Sequence, residues 1–254
     1  MNSERYLWPT ASVIGVMGGW YTVSRVGHVD PFLLPSPIAV LDRLGSLIET
    51  GDLAKQAGLT LYRTGVGFGL AVIVGSLLGL WMGKSKGAKW FFEPLISVLF
   101  PTPKISFLPI FILWFGAFDL SKILIAAFIC AFPVISACYE GVKDVDQRLL
   151  WVGRNMGMRE RKLFWKIILP ATVPALLNGA EISLPFAFIA VAVSEMLAGG
   201  GGVGAKMMLA ARFADSKTVF ASLITLAALG ALLAICARTV RVYLLQWHTE
   251  VEAD

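Results

Sequence analysis

The sequence has little charge for its length. Asp, Glu, Lys and Arg make up 15% of the 254 residues, whereas a soluble globular domain carries roughly 25%. Hydrophobic residues make up 57%, and the mean hydropathy is +0.73. This composition excludes an ordinary soluble enzyme and is typical of a polytopic membrane protein. The length accommodates about six membrane-spanning helices of roughly 20 residues, and it leaves no room for a separate soluble catalytic domain.

Cysteine is also scarce. Cys130, Cys138 and Cys236 lie in apolar runs without the spacing of metal ligands, so we interpret them as small residues that face the core or the lipid. No Ser/His/Asp set is present. Glu181 and Glu195 are not a catalytic pair, because fourteen positions on one helix separate them by about 21 Å. We therefore predict no catalytic residue, no metal site and no cofactor bound by this chain.

A nucleotide site is not predicted either. The segment from Gly199 to Lys206, Gly-Gly-Gly-Gly-Val-Gly-Ala-Lys, lacks the Gly-Lys-Ser/Thr order that a phosphate-binding loop requires. We expect its glycines to form a tight turn, at a gate or at a contact with a partner protein. The net charge of +5 is better explained by basic cytoplasmic loops than by nucleic acid, so no nucleic-acid partner is predicted.

The hydrophobic pattern predicts an all-α protein with about six transmembrane helices. Their approximate ranges are 7–23, 59–83, 95–118, 122–139, 174–197 and 218–240. The first run lacks a small-residue cleavage site and is predicted to be a retained span. His28 is interpreted as a loop residue. A short amphipathic helix is predicted at about 38–50, capped by Ser36, with Ile38, Leu41, Leu44 and Leu47 or Ile48 on its apolar side.

The loops between these spans differ in positive charge. With the amino terminus inside, one side of the membrane collects Arg5, the lysines at 84–89, the block at 143–166, Arg238 and Arg241. By the positive-inside rule, this side is the cytoplasm. We therefore predict that both termini are cytoplasmic.

Two of the spans contain charged residues. Arg63 lies one turn into the second span, where it either reaches the outer interface or faces a substrate route. Glu195, near the end of the fifth span, is either an interfacial residue or part of a gate. The second span also has Gly75, Gly79 and Gly83 at every fourth position, and such a stripe lets two helices approach closely in lipid.

The third span is irregular, since it contains the run Phe100-Pro-Thr-Pro-Lys-Ile-Ser-Phe-Leu-Pro. Broken backbone at membrane depth is tolerated only where protein or a water-filled cavity satisfies its polar groups. Lys104 is therefore either a functional residue or a side chain that extends to the cytoplasmic interface. The candidate residues of a substrate pathway are Arg63, Pro103, Lys104, Ser106, Pro109 and Glu195.

The stretch from 144 to 170 is dense in charge, with six Arg or Lys residues. We predict two short amphipathic helices here. Asp144 or Asp146 caps the first, and its apolar stripe consists of Leu149, Val152 and Met156. Gly157 terminates this helix, and the second runs from about Arg159 to Pro170. The pair is either a lever that presents a surface to a soluble partner or a basic loop that lies on anionic lipid.

The spacing within this stretch is distinctive. Nine residues separate Gly157 from Ile167, and one residue separates Ile167 from Leu169 and Pro170. This spacing resembles the permease loop of binding-protein-dependent ABC importers. The Glu-Ala-Ala positions of that loop are occupied here by Trp151, Val152 and Gly153. Four further stretches resemble the nitrate/taurine/alkanesulfonate branch: Leu34-Pro-Ser-Pro, Leu61-Tyr-Arg-Thr-Gly-Val-Gly-Phe, Pro103-Lys-Ile-Ser-Phe-Leu-Pro-Ile-Phe-Ile-Leu-Trp-Phe-Gly and Ser194-Glu-Met-Leu-Ala-Gly-Gly.

The resemblance implies a permease of the bacterial inner membrane that forms half of the translocation pathway for a small organic or inorganic anion. It implies a second copy of the permease, two cytoplasmic ATPase subunits that hold ATP and Mg²⁺, and an extracytoplasmic solute-binding protein. The residues expected to couple to the ATPase are Leu149, Leu150, Trp151, Val152, Gly153, Met156, Gly157, Ile167, Leu169 and Pro170. The alternative is a self-contained secondary transporter or channel, which typically has internal repeats; we find no convincing repeat.

Overall fold

A computed structural model describes residues 4–26 and 30–246, and this part of the chain is helical with no strand. The predicted all-α fold is therefore confirmed, while His28 lies outside the described residues. The elements are α1 (Glu4–Val26), α2 (Pro37–Glu49), α3 (Asp52–Lys84), α4 (Lys86–Leu99), a 3₁₀ turn (Lys104–Phe107), α5 (Leu108–Phe115), α6 (Asp119–Lys143), α7 (Gln147–Asn155), α8 (Glu160–Leu163), a π turn (Phe164–Ile168), α9 (Leu169–Ala198), α10 (Val203–Arg212) and α11 (Ser216–Leu244).

In the part of the chain that the structure describes, four helical runs are long and apolar enough to cross a membrane. They are α3, α6, the run Glu160–Arg212 that contains α9, and α11. The pair formed by Lys86–Leu99 and Lys104–Phe115 passes the same test if it is taken as one bent span, which makes five. The sixth predicted span, at 7–23, lies within α1, a helix of 23 residues that does not reach the same apolarity.

The core of the bundle is the contact between α3 and α6, and the predicted glycine stripe lies in it. A Cβ atom on Gly79 would lie 2.6 Å from the backbone oxygen of Ile135, and one on Gly83 would lie 2.6 Å from Val142. Only glycine allows such an approach between two backbones. Cys130 and Cys138 are buried in this region and Cys236 is exposed, which agrees with their interpretation as small core-facing or lipid-facing residues.

The third predicted span is broken, as its prolines indicate. The helix axis bends by 97° between Lys86–Leu99 and Lys104–Phe115. Pro103 precedes the 3₁₀ turn and accepts a hydrogen bond from the Ser106 backbone N–H at 2.9 Å. Pro109 lies in the first turn of α5, where its missing N–H leaves no intrahelical bond unmade.

Pro170 does not end a helix, so that part of the prediction is wrong. The chain continues from α8 through the π turn into α9, whose first turn contains Pro170. The Leu169 backbone N–H donates to the Phe164 carbonyl, five residues back. This wider turn changes the hydrogen-bond register before the proline, which then occupies the position at the start of a helix where its fixed φ is favourable.

Helix α2 begins as predicted, because the Ser36 side chain accepts a hydrogen bond from the Ala39 N–H at 3.3 Å. Its buried side agrees with the prediction only in part, because Leu44 and Leu47 lie on it. Val40 and Leu47 pack into a cluster with residues of α3 and α11, while Ile38 and Leu41 are exposed. Apolar residues occupy two adjacent sides of this helix, and the contact with α3 and α11 decides which side is buried.

Arg43 connects α2 to the beginning of α11. Its Nε donates to the Thr218 hydroxyl at 2.8 Å, and its Nη2 lies 3.4 Å from an Asp215 carboxylate oxygen. Burial tends to raise the pKa of Asp215, but hydrogen bonds from Thr218 and the nearby Arg43 charge outweigh it and hold the pKa below its usual value. The carboxylate therefore stays charged as the N-cap of α11.

The bundle has two chemically different ends. At one end, which we call the basic end, Lys84 lies 4.9 Å above the Phe164 ring, and Arg241 shares a cavity with Asp144 and Asp146. At the other, the glycine end, residues 199–202 connect α9 to α10. Helix α9 has 30 residues, so it separates the ends by about 45 Å. Of the basic segments predicted to share one side of the membrane, Lys84, the charged loop and Arg241 lie together at one end.

Candidate functional site

Helix α7 at the basic end has the predicted boundaries. The Asp146 side chain accepts a hydrogen bond from the Arg148 N–H at 2.8 Å and so caps the first turn. Gly157 follows the helix with φ +75°, which glycine adopts without strain. Its N–H donates to the Arg154 carbonyl at 2.9 Å. Both the cap and the glycine terminator of this helix are therefore confirmed.

The outer side of α7 is apolar and exposed. Leu149, Val152 and Met156 form the predicted stripe, and the Trp151 indole is exposed beside them. Leu150 is half-buried. Exposed large apolar side chains grouped in this way are typical of a surface that contacts a partner protein or a membrane.

Gly153 faces the opposite way and is buried. A Cβ atom at this position would lie 2.6 Å from Leu163 Cδ1 and 2.9 Å from Ile167 Cδ1. The glycine therefore allows α7 to pack against α8 and the π turn. An ion pair between Arg154 Nε and Glu160 Oε1, at 3.1 Å, connects the same two segments. These contacts fix α7 against the segment that continues directly into α9.

The predicted coupling residues thus divide into two groups. Leu149, Trp151, Val152 and Met156 present an exposed face, whereas Gly153 and Ile167 meet inside the loop. Leu169 and Pro170 begin α9. A force on α7 would therefore reach a membrane-spanning helix through a short and packed connection.

A second polar site lies at the glycine end, around Arg63. This side chain is buried, with 1% of its surface exposed, and Nη1 lies 2.6 Å from Oε1 of Glu195, which is fully buried. Nε and Nη2 both donate to Asp119 Oδ1, at 2.9 and 2.6 Å. The carbonyls of Gly201 and Gly200 accept the remaining bonds at 2.8 and 2.9 Å. All five guanidinium donors are therefore satisfied.

The same face of α3 holds the turn at residues 199–202. All four glycines have positive φ, from +67° to +97°, which confirms the predicted tight turn. Gln56 accepts a hydrogen bond from the Gly202 N–H at 2.6 Å, and the Thr60 hydroxyl accepts one from Val203 at 3.0 Å. Glu195 Oε2 accepts one from the Gly204 N–H at 3.1 Å. These bonds satisfy backbone donors that a helix N-terminus leaves free.

Two lysines complete this end of the bundle. Lys206 forms an ion pair with Asp52 of α3, so it does not act as a phosphate-loop lysine. Lys122 is fully buried beside the Arg63 group, and its Nζ lies 3.5 Å from the Ala117 carbonyl. We call the set Thr60, Arg63, Asp119, Lys122 and Glu195 the ionic cluster. It connects α3, α6 and α9 to the glycine turn.

The six candidate pathway residues do not lie together. Arg63 and Glu195 belong to the ionic cluster, and the interpretation of Arg63 as a side chain that reaches the outer interface is wrong, because it is buried. Pro103, Lys104, Ser106 and Pro109 lie at the break between α4 and α5. Lys104 Nζ donates to the Phe100 carbonyl at 2.7 Å and lies 4.7 Å from the Phe132 ring centroid.

Sequence reasoning missed Thr60, Asp119 and Lys122. Thr60 lies one turn before Arg63 on α3, a spacing that places both on one face. Asp119 and Lys122 are similarly spaced at the start of α6. The helical spacing was therefore visible in the sequence, but the contact between these helices was not.

The comparison with known protein families identifies the chain. A family model described as "Binding-protein-dependent transport system inner membrane component" matches residues 71–247. The chain belongs to this family. It is an inner-membrane permease subunit of a binding-protein-dependent ABC importer, and the alternative of a self-contained secondary transporter or channel is wrong.

Two relatives show how far the permease resembles named transport proteins. It is 31% identical to the putative aliphatic sulfonates transport permease protein SsuC of Bacillus subtilis, over 98% of this chain and 91% of that protein. It is also 31% identical to the formylaminopyrimidine transport permease protein ThiX of Halalkalibacterium halodurans, over 97% of this chain and 98% of that protein. Two relatives with the same sequence identity to this permease are therefore named for the transport of different solutes.

The fold is shared with solved ABC transporters. An inward-facing structure of the MetNI methionine ABC transporter matches with a TM-score of 0.65 at 18% identity. The match covers 74% of this permease and 94% of that chain. At this identity, the likeness establishes the fold of the permease and nothing about its solute.

Proposed function

We propose that α7 is the surface through which the permease couples to its ATPase subunits. The single observation that carries this proposal is the exposed apolar face of α7, formed by Leu149, Trp151, Val152 and Met156. An amphipathic helix of this kind can insert its apolar face into a groove of a partner. The ATPase subunits are separate chains that hold ATP and Mg²⁺, and their closure moves α7.

The same proposal implies which end of the permease faces the cytoplasm. The basic end carries the charged loop at 144–170, Lys84 and Arg241, and the positive-inside rule assigns such an end to the cytoplasm. Both termini of the chain then lie in the cytoplasm. The glycine end faces outward, where a solute-binding protein delivers its ligand.

A second copy of the permease completes the pathway in this proposal. The chain has large apolar side chains exposed along α4, α5 and α9, among them Trp90, Leu113, Trp114 and Phe186. Such faces meet either lipid or a partner helix. Two copies would place two such faces around a shared route, so that each contributes half of it.

The transported solute is proposed to be a small organic anion, such as an alkanesulfonate. This rests on the similarity to the SsuC permease and on the cationic side chain of Lys104 at the broken segment. The ThiX relative makes a formylated pyrimidine the competing solute. Competition for uptake in proteoliposomes that contain the binding protein separates the two.

Arg63 and Glu195 have a different role in this proposal. Their charged atoms bind each other, Asp119 and the glycine turn, so no donor of Arg63 remains for a solute. The pair stabilises the closed arrangement of the glycine end and acts as part of an outer gate. Contact with the solute belongs to the broken segment at Pro103, Lys104, Ser106 and Pro109.

Two tryptophans of the charged loop provide a matched test of coupling. Trp151 is 61% exposed on α7, and Trp165 is 59% exposed on the π turn. The permease with Trp151→Ala should bind its ATPase at least tenfold more weakly, because aromatic anchors dominate such interfaces. Trp165→Ala should bind as the wild type does. Each permease variant is placed in nanodiscs, and its affinity for the added ATPase subunits is measured.

A charged substitution in the apolar face of α7 tests the coupling without relying on Trp151. Val152→Asp places a carboxylate in the centre of the apolar stripe, where docking would bury it without a partner. We expect this variant to lose ATP-driven uptake while the permease still assembles in the membrane. If Trp151→Ala and Val152→Asp both retain wild-type ATPase affinity and uptake, α7 is not the coupling surface.

A further inference from the structure

We propose that the ammonium group of Lys104 binds the anionic head of the solute within the membrane, while the apolar cavity beside it holds the rest of the solute. The inference rests on the proposed import of an organic anion and assigns the atoms that recognise it. The ligand class is a small amphipathic monoanion, with a sulfonate or carboxylate head on a short apolar body.

The first observation is that Lys104 has no acidic partner. Its Nζ donates to the Phe100 carbonyl at 2.7 Å, and it lies 5.3 and 4.7 Å from the ring centroids of Phe100 and Phe132. Among the side chains that the structure describes, no carboxylate oxygen lies within 4.0 Å of this nitrogen. Aromatic faces attract a cation but leave its charge uncompensated.

Two arginines of the bundle contrast with it. Arg63 is paired with Asp119 and Glu195, and Arg241 is paired with Glu181 at 2.9 Å. Charged side chains inside a membrane are costly and normally pair with each other. An ammonium that keeps one hydrogen bond and two aromatic contacts has donors left for an anion.

The second observation is the cavity next to this lysine. It has a volume of about 220 Å³, and its walls are formed by Lys104, Ile105, Ile129, Phe186, Ile189, Ala190 and Val193. Apart from Lys104, every wall residue is apolar. One charged group on an otherwise apolar wall is the composition of a site that orients an amphipathic ligand.

The size of the cavity limits the ligand. Sites for drug-sized molecules measure roughly 300–1,000 Å³, so a body of a few carbon atoms beside the anionic head is enough to fill this one. Lys104 begins the 3₁₀ turn after the bend of 97°, and the other walls of the cavity come mostly from α6 and α9. The structure thus combines an uncompensated cation, apolar walls and a small volume at one place.

The test uses the whole importer with its ATPase and binding protein in proteoliposomes, and butanesulfonate as the probe. Lys104→Met removes the charge and keeps the length of the side chain, so KM for uptake should rise at least tenfold. Lys104→Arg keeps the charge and should stay within about threefold of the wild type. Lys217→Met makes the same change at an exposed lysine near the start of α11 and should have no effect.

A second variant tests the apolar wall. Val193→Phe reduces the space in the cavity, so it should impair the uptake of butanesulfonate more than that of methanesulfonate. Lys104→Met should impair both probes alike, because both carry the same head. This difference between chain lengths would not arise from a general loss of folding, which affects both probes equally in each variant.

The outcomes separate the inference from its alternatives. If Lys104→Met transports butanesulfonate with the wild-type KM, the inference is wrong, while import of anions stands. If the wild type imports no sulfonate, the proposed solute class fails first and the inference fails with it. The Lys104→Met defect should be the same with and without phosphatidylglycerol in the vesicles. A defect confined to anionic vesicles assigns Lys104 to a lipid headgroup instead.

Discussion

Arg63 and Glu195 are 132 positions apart in the chain, and their charged groups are 2.6 Å apart in the structure. Both side chains are buried. The Glu195 carboxylate also accepts hydrogen bonds from the Thr60 hydroxyl at 2.9 Å and from the Gly204 N–H at 3.1 Å. This pair therefore connects the second and fifth predicted spans to the glycine turn, and an opening of the glycine end requires its separation or its movement as a unit.

The first prediction concerns the stability that this pair provides. Arg63→Met leaves Glu195 and Asp119 without their shared partner, and breaking a buried ion pair costs about 3–5 kcal/mol. The double variant with Arg63→Met and Glu195→Met should lose less folding stability than the sum of the losses in the two single variants. Thermal unfolding of the detergent-solubilised permease measures the effect.

An exposed ion pair serves as the control for this cycle. Arg43 and Asp215 lie 3.4 Å apart with side chains 41% and 38% exposed, so Arg43→Met should cost no more than about 1 kcal/mol. If Arg63→Met is as stable as Arg43→Met, the cluster does not stabilise the glycine end. If the stability lost in the double variant equals the sum of the losses in the single variants at positions 63 and 195, the two residues are not directly coupled.

The sequence predicted this cluster only in part. Arg63 and Glu195 were recognisable as charges within apolar runs, since such residues have functional or structural roles by default. Their pairing could not be predicted, because each is isolated on its own helix and nothing local indicates which helices meet. Asp119 was missed for a different reason: it lies at a helix start, where an acidic residue has a sufficient local explanation in the helix dipole.

Local signals were more reliable where one segment determines the outcome. Asp146, Gly157 and Ser36 mark helix ends through bonds to their own neighbours, and all three predictions are confirmed. Pro170 was misjudged because the π turn before it depends on how the loop packs against α9, which sequence periodicity does not show. The buried side of α2 was predicted only in part: Leu44 and Leu47 lie on it, but Ile38 and Leu41 are exposed, because contact with α3 and α11 selects between two apolar sides.

The second prediction concerns the contact between α3 and α6. A Cβ on Gly79 would lie 2.6 Å from the Ile135 carbonyl oxygen and 2.7 Å from Cys138 Cβ. Backbone cannot yield as a flexible side chain does, so Gly79→Ala should destabilise the permease by about 1–3 kcal/mol through overpacking. The midpoint of thermal unfolding in detergent should fall accordingly.

Gly69, on the same helix, is the matched control. A Cβ there meets nothing within 4 Å, so Gly69→Ala should be neutral or should stabilise by up to about 1 kcal/mol through the better helix propensity of alanine. Equal midpoints for the two variants would show that α3 and α6 are not in the close contact described. Both variants replace glycine by alanine on α3, so they share the change in helix propensity. A difference between their midpoints therefore reports the packing of α3 against α6.

The third prediction concerns Gly157, which ends α7 with φ +75° and has no atom within 4 Å of a Cβ position. Gly157→Ala therefore causes no clash but places alanine in the left-handed region, at a cost of roughly 1–2 kcal/mol. Asparagine tolerates this region better, so Gly157→Asn should retain more function than Gly157→Ala.

The measurement for Gly157 is the amount of solute imported per ATP hydrolysed in proteoliposomes. A loop that changes conformation at position 157 would no longer hold α7 against Leu163 and Ile167, so ATP hydrolysis would continue with less movement of α9. We expect this ratio to fall for Gly157→Ala and to recover for Gly157→Asn. A ratio that is unchanged for alanine, or reduced equally for both variants, would mean that the left-handed backbone at Gly157 does not transmit the coupling.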